Sequence, residues 1–298
     1  MRNFDELLDE ARRRKPARIV VAAAGDPEVI AAVEEATKLG IVSSGVLVGD
    51  QAVIEKAAGS LGLDLARHRV VHAPDHLEAA RQAVGLVRQG EGDILMKGYI
   101  GTADLLRVVL DKEQGLRTGK MLSHVAVVEH PAYHQLLVVS DGGLNIAPDL
   151  KLKLEITQNA INVAIAMGIA KPKVALLSAQ ELVNPDMPSS MDAALLTKAA
   201  ERGQIRGGIV DGPLAMDIAL SKEALEHKKI ESPVEGDADV LIVPNIETGN
   251  ILLKGLQYVA GAGWAGIIVG AKVPIILVSR ADHARAKLLS IALAQLVM

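Results

Sequence analysis

Ser279 and Arg280 close an apolar run, Pro274-Ile-Ile-Leu-Val278, and Asp282 follows two residues after Arg280. A short buried strand that delivers a hydroxyl and a guanidinium to its carboxyl end is suited to anion chemistry. Open α/β sheets bind ligands outside the carboxyl ends of their strands, and a guanidinium holds phosphate or a developing oxyanion through paired, charge-assisted hydrogen bonds. A cap plus a surface ion pair accounts for the same residues, so the other strand ends must decide.

Those ends carry polar groups too. Lys97-Gly98 ends a strand before a helix, where an ammonium can meet phosphate and a glycine permits close backbone approach. A lysine simply standing in solvent is the competing reading. Asp211-Gly212-Pro213 ends another strand, and its simpler reading is a turn in which the aspartate bonds its own backbone. Asn245, Glu247, Gly249 and Asn250 follow a strand ending near Val243; they either cap the next helix or line a site. Polar loops after several strands at one sheet edge weigh more together than singly.

Two motifs are set aside on context. Gly261-Ala-Gly263-Trp-Ala-Gly266 matches G-x-G-x-x-G, but a helix precedes it and a strand follows, the reverse of what pyrophosphate binding at a helix N-terminus needs. His130 and His134 have the spacing of metal ligands on a helix, yet Pro131 favours a turn, and the remaining histidines are scattered. No metal site is expected. The absence of cysteine removes disulfides, thiolate metal sites and a cysteine acyl-enzyme.

The elements that must position these groups read as short apolar strands alternating with helices of ten to fifteen residues, the pattern of βαβ units and a parallel sheet covered on both faces. Asp26-Pro27, Asp50, Asp75 and Pro148-Asp149 read as helix starts, and Asp282 as the start of the last helix. Val125–Glu129 and Leu136–Ser140 flank a short turn and suggest a hairpin. Asp141-Gly-Gly is a flexible break. Two α/β lobes are expected, residues 1–140 with 271–298 in one and 141–270 in the other, with an interdomain cleft as the default site.

Half of the 298 residues are hydrophobic and only 2% aromatic, so the core is aliphatic. A net charge of −4, without a basic block interleaved with aromatics, argues against nucleic acid as a partner. No apolar run reaches roughly the 18 residues of a membrane span, and no apolar signal core opens the chain. A cytoplasmic protein is the expectation.

From Gly92 onward the motifs come in a recognisable order: Leu95-Met-Lys-Gly98 with Thr102-Ala-Asp104, Ser140-Asp-Gly-Gly-Leu-Asn145 with Pro148, Val210-Asp-Gly-Pro-Leu-Ala-Met-Asp217, Pro244-Asn-Ile-Glu-Thr-Gly-Asn250 with Lys254, and Ser279-Arg280. This set resembles the phosphate acetyl/butyryl transferase family, nearest its butyryl branch, and covers about two-thirds of the chain; residues 1–90 carry no matching motif. The resemblance implies a two-lobed α/β fold with parallel or mixed sheets, like that of the isocitrate/isopropylmalate dehydrogenases. It implies exchange of a short acyl group, butanoyl or alternatively acetyl, between coenzyme A and inorganic phosphate through a ternary complex. Both are substrates, no further cofactor is required, and a homo-oligomer is implied. In the acetyl enzymes the Ser-Arg pair is catalytic, and Ser279 and Arg280 match it. Their aspartate seven residues after the serine is Ala286 here, which leaves Asp282 as the substitute acid–base group. Lys97, Asn145, Asp211, Glu247, Gly249 and Asn250 fall on the motif positions expected to bind substrate. A more distant alternative is a hydroxy-acid dehydrogenase of the same fold using NAD and a metal, which would show a clustered set of aspartates; the aspartates here are dispersed.

Overall fold

The computed structural model describes residues 1–279 and 282–298. They divide into two compact units. The first holds Phe4–Lys120 and Ala265–Met298, and the second Met1–Asn3 and Met121–Trp264.

The first unit begins α1 (Phe4–Arg13), β1 (Ala17–Ala22), α2 (Pro27–Lys38), β2 (Val42–Gly49), α3 (Gln51–Ser60), β3 (Arg69–His72), α4 (His76–Arg88), β4 (Ile94–Lys97) and α5 (Thr102–Val109). Its helix starts follow from local chemistry. The side chains of Asp26, Asp50 and Asp75 accept from the amides of Glu28, Val53 and Leu77, so each carboxylate satisfies an N–H that the helix itself cannot. Ile19–Ala22 of β1 and Ile94–Met96 of β4 are apolar and buried because helices cover the sheet.

The second unit contains β5 (Ser123–Glu129), β6 (Leu137–Ser140), α6 (Leu150–Ala166), β7 (Lys173–Leu177), α7 (Pro188–Glu201), β8 (Ile209–Leu214), α8 (Met216–Leu220), α9 (Lys222–Lys228), β9 (Val240–Ile242) and α10 (Ile246–Tyr258). Asp149 caps α6 through the Leu152 amide. The strand order is β5-β6-β9-β7-β8. β5 and β6 form the antiparallel hairpin, and β6, β9, β7 and β8 run parallel. Because β6 is bonded to β5 on one side and β9 on the other, the hairpin belongs to this unit. The division therefore falls at Lys120/Met121 rather than at the composition break near Asp141.

One strand differs from its sequence reading. β8 continues through Asp211-Gly212-Pro213 to Leu214 instead of turning there. It is the last strand of the order, where a proline that lacks the ladder N–H is tolerated.

The chain returns to the first unit through β10 (Gly263–Val269), β11 (Ile275–Ile276) and α11 (Ala284–Leu296). The order there is β3-β2-β1-β4-β11-β10. β11 pairs parallel with β4 and antiparallel with β10. The second half of the G-x-G-x-x-G match is thus already strand. α11 packs against α1, α2 and β11 and is buried on every side from Lys287 to Leu296. It starts at Ala284 with His283 as the cap, not at Asp282.

Candidate functional site

In the first unit, Lys97 and Ser279 leave the carboxyl ends of neighbouring parallel strands. Ile275 and Ile276 stand opposite Leu95 and Met96, and Lys97, still paired with Ala22 of β1, is the last residue of β4. Its side chain is buried, with Nζ 3.3 Å from the Gly98 carbonyl oxygen and 3.4 Å from that of Ile100; the reading of a lysine in solvent does not apply. The glycine that follows is required for a different reason than a ligand. A Cβ on Gly98 would lie 2.2 Å from the Ala23 oxygen, because the Gly98 and Tyr99 amides donate to Ala22 and Ala23 at 2.8 and 2.7 Å. Ala23 itself takes φ 57°, a left-handed backbone that costs an alanine about 1 kcal/mol. The exits of β1 and β4 are thereby locked together.

Ser279 is exposed, whereas Asp282 is 2% exposed. Asp282 turns back instead of capping the helix: its Oδ2 accepts the Ser279 N–H at 2.6 Å, and its own N–H donates to the Ser279 carbonyl at 3.1 Å. Arg280 lies outside the described residues.

In the second unit, the segment read as a flexible break is the most densely bonded loop of the site. Asp141 is 3% exposed, and its carboxylate accepts four N–H groups. Oδ1 takes those of Gly143 and Leu144, both at 2.9 Å. Oδ2 takes the His124 amide at 3.1 Å and Asn145 Nδ2 at 2.6 Å. Two carboxylate oxygens have about four acceptor sites, so its capacity is filled. Asn145 Nδ2 also reaches the Leu122 carbonyl at 2.9 Å. The Asp141 loop and the first turn of α10 interlock through two glycines: a Cβ on Gly249 would lie 2.7 Å from Gly142 Cα, and one on Gly142 3.0 Å from Gly249 C. Asn250 Nδ2 donates to the Gly142 carbonyl at 3.3 Å. Asn245 caps α10, accepting from the Thr248 amide and hydroxyl. Glu247 is exposed on that first turn.

His124 is the group the sequence reading missed. It is 7% exposed, and a Cβ on Gly143 would stand 2.9 Å from its ring. Burial lowers its pKa below the usual histidine value; the Asp141 carboxylate opposes this and Lys254 adds to it. Its Nδ1 is buried without a hydrogen-bond partner among the described residues. The available signal was a Ser-His pair opening a strand whose next four residues are apolar and buried.

Asp211 is not part of this cluster. It lies three strands from β6 in the order of the unit, and its Oδ2 accepts the Ser232 hydroxyl at 2.6 Å. On another side of α10 a cavity of about 670 Å³ is lined by Leu177, Ser178, Met216, Asn245, Thr248 and Leu252, with the Lys153–Asp192 pair in its wall. That pair is close, 2.6 Å, so the wall is neutral in sum. Thr248 and Leu252 face the cavity while Gly249 faces Gly142. The cavity has the size of a small-molecule site. Among the described residues no group of three or more His, Asp or Glu is placed to hold a metal ion.

Comparison with known proteins finds relatives along the whole chain. The sequence profile described as phosphate acetyl/butaryl transferase matches residues 73–295. A phosphate butyryltransferase of Clostridium acetobutylicum is 46% identical over 297 residues, spanning 100% of this chain and 98% of the relative. A phosphate acetyltransferase of Thermotoga maritima is 45% identical, spanning 97% of this chain and 98% of the relative. Among solved structures, a branched-chain phosphotransacylase from Enterococcus faecalis superposes with a TM-score of 0.81 at 36% identity, covering 94% of this chain and 99% of that one.

Proposed function

The chain belongs to the phosphate acetyl/butaryl transferase family, and from that premise we propose that it converts butanoyl-CoA and inorganic phosphate to butanoyl phosphate and free coenzyme A, and the reverse. The observation that carries the reading is the likeness along the whole chain to a relative named phosphate butyryltransferase. The motif pieces from Leu95 to Arg280 all lie inside the matched span.

A phosphate oxygen attacks the thioester carbonyl carbon, and the carbonyl π pair moves to oxygen. When the tetrahedral intermediate collapses the C–S bond breaks, sulfur leaves with the bonding pair, and the proton lost by phosphate ends on the thiol. No electrons are exchanged with an outside partner. In this reading the Arg280 guanidinium holds phosphate or the oxyanion, a role worth about 3–4 kcal/mol for one well-aimed donor. The Ser279 hydroxyl donates to the oxyanion or to sulfur. Holding two anionic substrates in register supplies on the order of 7–11 kcal/mol more. Phosphate and the CoA thioester meet in a ternary complex, which suits a chain without cysteine.

Asp282 as the group that serves the thiol meets a geometric competitor, since its Oδ2 already accepts the Ser279 N–H. Asp282→Asn keeps an acceptor in place and separates the roles. A base loses kcat and one limb of the pH profile; a clamp keeps both.

The central test is Arg280→Ala. Phosphorolysis of butanoyl-CoA is expected to lose at least about 100-fold in kcat/KM; a variant near wild type sinks the assignment. A second reading, acetyl-CoA as substrate, is favoured by the nearly equal identity to the acetyltransferase relative. Rates across acetyl-, butanoyl- and longer acyl-CoAs decide between them, and a preference of about tenfold or more for butanoyl-CoA is the expected result for two extra methylenes in an apolar site. The same reading takes no metal and no cofactor besides the substrates, a dehydrogenase-type α/β fold, a homo-oligomeric assembly and a cytoplasmic location. A thermal shift with NAD and magnesium but none with coenzyme A would move the chain to the dehydrogenase alternative.

A further inference from the structure

Lys287 is 1% exposed, inside a helix whose neighbouring residues Leu288, Leu289 and Ile291 are buried and apolar. Two effects oppose an ammonium there. Burial strips its water, and it stands in the first turn of α11, where the helix dipole disfavours a cation. A leucine or methionine would fill the space without either penalty, so packing does not explain the lysine.

Its contacts do. Lys287 Nζ donates to the Asp282 carbonyl oxygen. The Asp282 carboxylate in turn accepts the Ser279 N–H at 2.6 Å, and the Asp282 N–H returns to the Ser279 carbonyl. The helix cap does not share this task, since His283 makes no side-chain capping bond. A chain of three groups therefore runs from the interior of α11 to the backbone of Ser279.

We propose that Lys287 is a positioning residue: its buried ammonium fixes the Asp282 turn, and through it the direction in which Ser279 leaves β11. This rests on the role given to Ser279 above.

Lys287→Met keeps the length and apolar stem of the side chain and removes the cation. Its melting temperature is expected to stay at or above wild type, because replacing a buried charge by a hydrophobe of similar volume is often neutral or stabilising. Its kcat for acyl-CoA phosphorolysis is expected to fall at least about tenfold with KM nearly unchanged, the cost of a misdirected reacting group. Amide exchange in the peptide carrying Ser279 and Asp282 is expected to speed up while that of Leu288–Leu296 stays slow. Lys287→Arg, which keeps donor and charge, is expected to recover part of the lost kcat. An unchanged kcat in Lys287→Met overturns the proposal. So does a loss of kcat with unchanged exchange at Ser279, or a loss that simply follows a lowered melting temperature. If Lys287→Met does not fold, Lys287→Gln is measured against the same outcomes. A wild-type chain silent toward every acyl-CoA sinks the proposed function instead, and the exchange measurement still decides whether Lys287 holds the turn.

Discussion

The Asp141 loop of the second unit and the Asp282 turn of the first both rest on one buried aspartate, yet they are held in opposite ways. Asp141 gathers four N–H groups, three of them from Gly143, Leu144 and Asn145 within four residues of it. It makes a knot whose donors come mostly from the loop itself, with the His124 amide of β5 as the fourth. The Asp282 carboxylate accepts the Ser279 backbone N–H, and its carbonyl is anchored by a lysine inside a helix. The first arrangement is rigid by local closure. The second is set by what the helix interior carries, and it leaves Ser279 exposed three residues past the end of β11. A loop built for shape and a turn built to present a reacting group differ in where their constraint originates.

Substitutions should separate the two. Asp141→Ala orphans several buried donors at once, and a loss of at least about 3 kcal/mol is expected. At about 2–4 °C per kcal/mol for a domain of this size class, the thermal midpoint should drop by about 6 °C or more; an unchanged melting curve would break the contrast. Ser279→Ala should do the reverse, with kcat down about 100-fold and, at an exposed position, stability within about 0.5 kcal/mol of wild type. Gly249→Ala pushes a methyl against the Gly142 backbone, 2.7 Å from its Cα, and should cost about 1–3 kcal/mol in chemical denaturation.

His124 gives a pH signature on the Asp141 side alone. Burial depresses its pKa in the folded chain, so the unfolded chain binds the proton more readily once pH falls below about 6.5. The neutral histidine contributes fully above that value, and stability should fall as pH drops from about 7 toward 5. A non-titrating replacement, His124→Asn, should flatten that slope in a series of thermal melts; an equally steep slope would assign it to other groups. The smallest effect is a control in α4: a Cβ on Gly85 meets nothing within 4 Å, and Gly85→Ala should stabilise by about 0.5–1 kcal/mol.

Much of the frame was legible because its causes are local. Asp26, Asp50, Asp75 and Asp149 each cap the helix that follows, since an aspartate before a helical pattern meets unsatisfied amides two or three residues on. The β5–β6 hairpin followed from two apolar runs around a short turn. Asp282 has the same local context and does something else: its carboxylate accepts the Ser279 N–H, and its carbonyl accepts from Lys287 inside α11. Asp211-Gly212-Pro213 reads as a turn, but at a sheet edge the same three residues extend a strand. Asp141-Gly-Gly reads as a flexible break, and burial made it a knot. His124 left almost no mark in the sequence, since a single histidine in a buried strand becomes informative only when the glycine that packs on its ring is known.

The sequence alone determined the alternating α/β frame, the aliphatic core and the order of motifs that end at Ser279-Arg280, because periodicity and capping act over a few residues. Only the tertiary structure decided which carboxylate closes a loop, which turns back to hold Ser279 and which lysines are buried, because a hydrogen-bond partner is chosen by burial, and burial is fixed by residues far away in the chain.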